Sequence, residues 1–246
     1  MIYDLADLRV LIRNNYPYTT RFCEKYLSEN QSLPVDLTAE AETEDFENEQ
    51  KASAGYSIGY IENICIYRNL CLQLPSLNRI LLHAAVLEVD GEGYAFLGRS
   101  GTGKSTHTGL WLEHVKGSRI INGDKPVLFF DKDEVYAYGT PWMGKEGRGC
   151  KAKTPLKGLI FLEQAKTNEI RRLTPAETAM RVFTQILFPS DETNAEKTLA
   201  LADELVTRIP AWVLGCTISE QAVEVCYNAV TGREYKKVNK ESNDEN

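Results

Sequence analysis

Three regimes of hydrophobic patterning divide the 246-residue chain. In the first, Leu8, Val10 and Ile12 alternate with polar residues, the period-two signature of a half-buried strand. Pro34-Val-Asp-Leu-Thr38 offers a second strand. Tyr60, Ile64, Tyr67 and Cys71 then recur at helical spacing and predict an amphipathic helix that ends before Pro75. Residues 1–77 thus read as an N-terminal α+β section packed on the rest.

Strands dominate the second regime. Ile80 to Glu88 predicts one strand, Asp90-Gly-Glu-Gly93 a turn, and Tyr94-Ala-Phe-Leu97 the returning arm of a hairpin. Arg119-Ile-Ile121, Val127-Leu-Phe-Phe130, Val135-Tyr-Ala-Tyr138 and Leu159-Ile-Phe-Leu162 extend the sheet. A single helix interrupts them, carried by Thr108, Trp111, Leu112 and Val115 and stopped by Lys116-Gly117. In the third regime, Thr174-Pro-Ala-Glu177 is a capping box that opens a helix running to Phe188. A second helix over 194–209, a strand at Trp212-Val-Leu214 and a helix from Ser219 to Val230 with Gly232 as its stop complete the pattern. The predicted fold class is α/β, with a mixed, partly antiparallel sheet and a helical C-terminal third. Residues 78–232 form its main domain, and 233–246 a frayed polar tail.

Between the hairpin and the first helix lies Gly98-Arg-Ser-Gly-Thr-Gly-Lys-Ser105, which fits the phosphate-loop (Walker A) pattern G-x-x-x-x-G-K-[ST]. Each part answers a need of a polyphosphate. Gly98, Gly101 and Gly103 let the backbone take left-handed dihedrals and turn its N–H groups inward. Lys104 is placed to reach the β- and γ-phosphates, with its side chain exposed in the empty loop, and the Ser105 hydroxyl to ligate Mg²⁺. Strand, glycine loop and helix in succession add the partial positive charge of the helix N-terminus. Ser100, Gly101, Thr102, Gly103, Lys104, Ser105 and Thr106 are therefore the expected contacts of a nucleoside triphosphate.

Composition narrows the remainder. A net charge of −7 argues against nucleic acid as a partner, since a phosphate backbone calls for a basic face. No run approaches the ~20 apolar residues that span a bilayer, and the first residues carry no export signal, so a cytoplasmic protein without membrane contact is expected. Cysteines at 23, 65, 71, 150, 216 and 226 lack metal spacing and read as small buried hydrophobes. The acidic run from Glu40 to Glu49 reads as a solvated face. Oligomeric state stays open, a homo-oligomer included.

The segment Phe96-Leu-Gly-Arg-Ser-Gly-Thr-Gly-Lys-Ser-Thr106 resembles the phosphate loop shared by HPr kinase/phosphorylase and the ATP-dependent phosphoenolpyruvate carboxykinases. The resemblance covers residues 79–163, a third of the chain. In that superfamily a strand ending in one or two aspartates follows the loop. Ile120-Ile-Asn-Gly-Asp-Lys-Pro126 holds the matching place, which implies that Asp124 ligates Mg²⁺ or accepts a proton. His83, fifteen residues before Gly98, falls where bacterial HPr kinases carry an active-site histidine. Two departures stand out: Gly123 replaces the first of two aspartates, and the Arg-Gly-Leu-Gly signature of true HPr kinases is absent, so HPr itself is not implied as acceptor. The carboxykinases are much longer, and decarboxylation is not expected.

Other residues carry open alternatives. His83 is either a satisfied core histidine or a catalytic one, and His107, in the first turn after the loop, either contacts phosphate or, as preferred, faces solvent. Glu163, at the end of an apolar strand, is a rival metal acid or a solvent-facing strand end. The basic segment 144–153 is either a passive loop or a lid that brings Lys145 or Arg148 onto a transferring phosphoryl group. The expectation is a phosphotransferase using ATP and Mg²⁺, with Lys104, Asp124, His83 and Arg148 catalytic and Ser105 and Asp124 on the metal. The acceptor is an unidentified hydroxyl, of a small molecule or a protein serine. The alternative is a nucleotide-binding regulator or scaffold without transfer. The base of the nucleotide is not specified.

Overall fold

Alternation and continuous apolar runs sort the strands into two sheets. The computed structural model describes residues 1–32 and 34–237; the remainder of the expected tail, 238–246, lies outside the described residues. Strands β1 (Ile2–Leu5) and β2 (Leu8–Arg13) form an antiparallel hairpin, and after the short helix α1 (Pro17–Phe22), β3 (Leu37–Glu40) adds in parallel to β2. Helix α2 (Thr43–Ala52) carries the acidic run and buries no residue. In α3 (Ile58–Gln73) the buried positions include Ile61, Cys65, Ile66 and Leu70, while Tyr60, Ile64 and Tyr67 are only half-buried. The helix exists where its period places it. Its deepest stripe is one position away from the expected one, because it is covered on two sides, by α1 and α2 and by the small sheet.

The second sheet contains β4 (Arg79–Leu81), β5 (Ala84–Val89), β6 (Glu92–Leu97), β7 (Arg119–Asn122), β8 (Val127–Phe130), β9 (Val135–Tyr138), β10 (Lys153–Gln164), β11 (Glu169–Arg172) and β12 (Ala211–Cys216). Its order is β4-β8-β9-β10-β6-β5-β7, with β12 also on β10 and β11 on β12. The fold is α/β with a mixed sheet. Strand β10 explains the branching. Its first half alternates in burial and pairs antiparallel with β9. Its second half, Leu159-Ile-Phe-Leu162, is buried throughout and pairs in parallel with both β6 and β12. A strand covered on both faces needs such a continuous apolar run.

One expected strand is two. The run from Ile80 to Glu88 breaks at Leu82-His83, and β4 pairs with β8 while β5 pairs with β6 and β7. Strands β1 and β11 carry no signal strong enough to be expected. Helix α5 (Pro175–Val182) starts at the capping box but passes into a 3₁₀ turn that ends at Gln185. Helices α6 (Glu192–Arg208) and α7 (Glu220–Thr231) lie close to their predicted bounds, and Gly232 caps α7 with φ of 67°. The first tail residues are not frayed. Arg233 pairs with Asp90 at 2.7 Å and Glu92 at 2.8 Å, and Tyr235 is buried with its hydroxyl donating to His114 O.

Helices cover both faces of the larger sheet. The helix after the glycine loop, α4 (Lys104–His114), packs with α7 through Trp111, Val115, Val223 and Cys226 over Phe96 and Ile160. On the other face Val182, Leu201 and Leu205 meet Val86, Leu97 and Phe161. The N-terminal section packs Tyr3, Val10, Ile66 and Leu70 against Leu81, Val127 and Tyr138 at the β4-β8-β9 end. All six cysteines are free, four of them buried. No helix among the described residues is long and apolar enough to cross a membrane.

Trp111 anchors α4, and so the glycine loop. It is fully buried, meets Phe96 edge-on at 5.6 Å and donates from Nε1 to His107 Nε2 at 3.1 Å. Leu112, expected on the same face, is 41% exposed. Trp111→Ala should therefore cost about 3–5 kcal/mol, and Leu112→Ala less than about 1 kcal/mol. Urea unfolding of the two variants checks this; equal losses would mean that α4 is not seated through Trp111.

Candidate active site

The glycine loop joins β6 to α4. Gly98, Gly101 and Gly103 have φ of 148°, 83° and 104°, a region that costs only glycine little. The backbone amides of Gly101, Gly103, Lys104, Ser105 and Thr106 have no acceptor among the described residues. Three of them open α4, where the first turn always leaves N–H groups unpaired. Such a set of donors at the positive end of a helix is available to an anion.

Lys104 is not exposed, contrary to the sequence expectation. Its ammonium donates to Gly98 O at 2.7 Å and Arg99 O at 3.4 Å, so it closes the loop on itself. Burial lowers its pKa, the Asp124 carboxylate works against that, and Lys125 adds to it. His107 is not solvent-facing either. It is buried against Phe96, it accepts from Trp111, and burial pulls its pKa down to about 4. A large aromatic neighbour one helical turn away, rather than local polarity, decided its place.

A second group of residues gathers at the end of β7. Asn122 is fully buried, and its Oδ1 accepts from the amides of Asp124 at 2.9 Å and Lys125 at 2.7 Å. Its Nδ2 donates to Thr140 O and Oγ1, and Thr140 Oγ1 donates on to Lys125 O. That clamp presents the Asp124 side chain. One carboxylate oxygen lies 3.1 Å from His83 Nε2 and the other 2.8 Å from Lys125 Nζ. Burial pushes the Asp124 pKa up, but the hydrogen bonds from His83 and Lys125 outweigh it and hold the carboxyl at about 2. His83 stands at the β4–β5 break, where its amide donates to Gln185 O and the next amide, of Ala84, to Asp124 O.

The segment 143–149 roofs this turn. Gly149 bridges to Asn122 and the Cys150 amide donates to Ile121 O at 3.1 Å. A Cβ on Gly123 would stand 2.7 Å from Met143 O and 3.0 Å from Arg148 O. A Cβ on Gly144, itself at φ of 79°, would stand 3.0 Å from Asp124 Cβ. Lys151 pairs with Asp4, and Lys153 belongs to β10. The expected lid over 144–153 is therefore tied down at its C-terminal half, and its continuously exposed stretch is 144–148.

Together these parts enclose a cleft of about 540 Å³. The loop contributes Ser100, Gly101 and Gly103 to Thr106; the β7 turn contributes Gly123 to Lys125, beside His83; the roof contributes Gly144 to Glu146. Of the residues expected at the site, Thr102 and Arg148 do not line it. Thr102 turns its hydroxyl to Arg99 O and borders a different cavity, which it shares with Glu163. Arg148 lies by α4, its Nη1 3.4 Å from where a Cβ on Gly109 would be, and Lys145 takes the place in the cleft. Glu163 is paired with Arg181 at 2.8 Å, away from the Asp124 turn. Asn122, Lys125 and Glu146 were missed. The Asn-Gly-Asp sequence held the only signal for the first, as an asparagine caps amides two residues on.

No family model matches the chain, and no curated protein matches it. Among solved structures, one with some likeness is the HPr(Ser) kinase/phosphatase from Coxiella burnetii. The TM-score is 0.26 at 13% identity, over 52% of this chain and 90% of that one. A likeness that loose decides nothing about the site.

The clamp yields a prediction. Asn122→Ala leaves two amides without an acceptor and should cost roughly 1–3 kcal/mol. Gly123→Ala must displace the roof, so tryptic cleavage after Lys145 and Arg148 should accelerate. An unchanged cleavage rate in Gly123→Ala would mean that the roof does not rest on this turn.

Proposed function

We propose that the protein binds a nucleoside triphosphate, ATP with Mg²⁺, and transfers its γ-phosphoryl group to a hydroxyl of a small molecule or a protein serine. One observation carries this reading: unpaired amides and a lysine at a helix N-terminus share a cleft with a histidine–carboxylate pair. The first set suits an anion, and the second suits a proton acceptor. Phosphoryl transfer needs little more than positioning and charge stabilisation, which both sets supply.

In this reading Lys104 leaves Gly98 O and turns to the β- and γ-phosphates, whose oxygens replace the carbonyls it now holds. Lys145 would approach the same phosphates from the roof. The Asp124 carboxylate orients the imidazole of His83 through Nε2 and leaves the other ring nitrogen to take a proton. The acceptor's O–H bond breaks toward His83, its oxygen bonds to the γ-phosphorus, and the bond to the departing diphosphate breaks.

The residues also fit a nucleotide-borne Mg²⁺. The described residues hold no cluster of three or more His, Cys, Asp or Glu that could hold a metal alone. Magnesium is usually held by one or two carboxylates together with substrate phosphates, and the Ser105 hydroxyl and Asp124 line the cleft as such oxygen donors. Bound there, the cation would neutralise charge on the phosphates. The absence of room for a side chain on Gly123 favours the second reading, a nucleotide-binding regulator, because a paired aspartate cannot form at that turn.

Lys104→Met keeps the buried stem and removes the charge. It should weaken ATP binding at least ten-fold and abolish transfer, with circular dichroism unchanged. Calorimetry with unaltered ATP affinity would sink the phosphate-site assignment. ATP binding by the wild type without γ-phosphoryl transfer to any component of a cell-metabolite or protein pool would favour the regulator.

A further inference from the structure

The turn that presents Asp124 has room for one carboxylate, and the roof above it brings another. Met143 O and Arg148 O occupy the space that any side chain on Gly123 would need. The same roof carries Glu146 into the cleft. The point that a Cβ on Gly144 would occupy is 3.6 Å from Asp124 Cγ and 3.8 Å from Glu146 Oε2, so both carboxylates flank one glycine. Their states differ. Each Asp124 oxygen is already bonded, to His83 or to Lys125, whereas Glu146 has no hydrogen bond or ion pair among the described residues.

From this we infer that Glu146 is the second carboxylate of the site and holds the triphosphate's divalent cation jointly with Asp124 and the Ser105 hydroxyl. The inference rests on the nucleotide reading given above. It follows from the donors present: a hard cation seeks oxygen ligands, and an unpartnered carboxylate surrenders fewer bonds than one already bonded to an imidazole and an ammonium. Lys145 and Glu146 stand at an exposed tip between Gly144 and Gly147, which turn the backbone at φ of 79° and 59°. It also gives the steric closure at Gly123 a consequence. The space a neighbouring aspartate would fill is taken by the backbone that delivers Glu146.

The test uses the full chain with ATP and Mn²⁺, read by electron paramagnetic resonance, and ATP binding in EDTA, read by calorimetry. Glu146→Gln, at an exposed position, should lower Mn²⁺ affinity in the ATP complex by roughly ten-fold or more. ATP affinity in EDTA should stay the same or rise, since a negative charge near the phosphates is gone. Glu146→Asp should recover part of the Mn²⁺ affinity. Wild type that binds ATP, with Mn²⁺ affinity equal in Glu146→Gln, overturns this inference alone. Wild type that binds no ATP under either condition overturns the nucleotide reading and this inference with it.

Discussion

The site depends on one buried asparagine. Asn122 ends β7, and without its side chain the half-buried amides of Asp124 and Lys125 would lose their acceptor. The turn it closes makes three separate connections. Through Asp124 O it holds Ala84 and so the break between β4 and β5; through Asp124's carboxylate it holds His83; through its flat Gly123 it admits the roof. A polar network that is fully satisfied specifies one arrangement, whereas a partly satisfied one costs more than an apolar core would. The side chains of His83 and Asp124 are thus held by a turn that is itself fixed by hydrogen bonds to its backbone.

Much of this architecture was legible in the sequence, and the exceptions share a cause. The glycine loop, the capping box at Thr174 and the Gly232 stop are local devices whose chemistry is complete within a few residues, and each lies where its residues place it. Strand β10 was legible only in its continuous apolar half; the alternating half carries Lys153 and Lys157, and its partner β9 decided it. The break at His83 was hidden because Leu82 and Ala84 look like one strand, yet they pair with different neighbours. Pattern and resemblance single out loop residues 100–106 and Asp124, and all of these but Thr102 line one cleft. They do not single out Lys125 and Glu146, since their places are set by contact between segments distant in sequence. Arg148 and Lys145 differ in the same way: a basic stretch reveals its charge but not which base points inward.

The charge balance of the cleft follows from the same geometry. The chain is acidic overall, at −7, yet Lys104, Lys125 and Lys145 converge here with His83 against two carboxylates. At physiological salt, charges more than about 8 Å away in solvent are largely screened, so an approaching anion responds to the cleft and not to the total. Lys125 neutralises Asp124, which keeps that carboxylate from repelling phosphate. Lys104 meanwhile is held by two loop carbonyls. Hydrogen bonds to a charged group are worth about 1.5–3 kcal/mol each, so an anion must offer Lys104 more than the loop already does. A doubly or triply charged phosphate chain meets that requirement while also taking the free amides. A single neutral acceptor does not, so under the proposed reading the loop would favour polyanions by what its own lysine would lose.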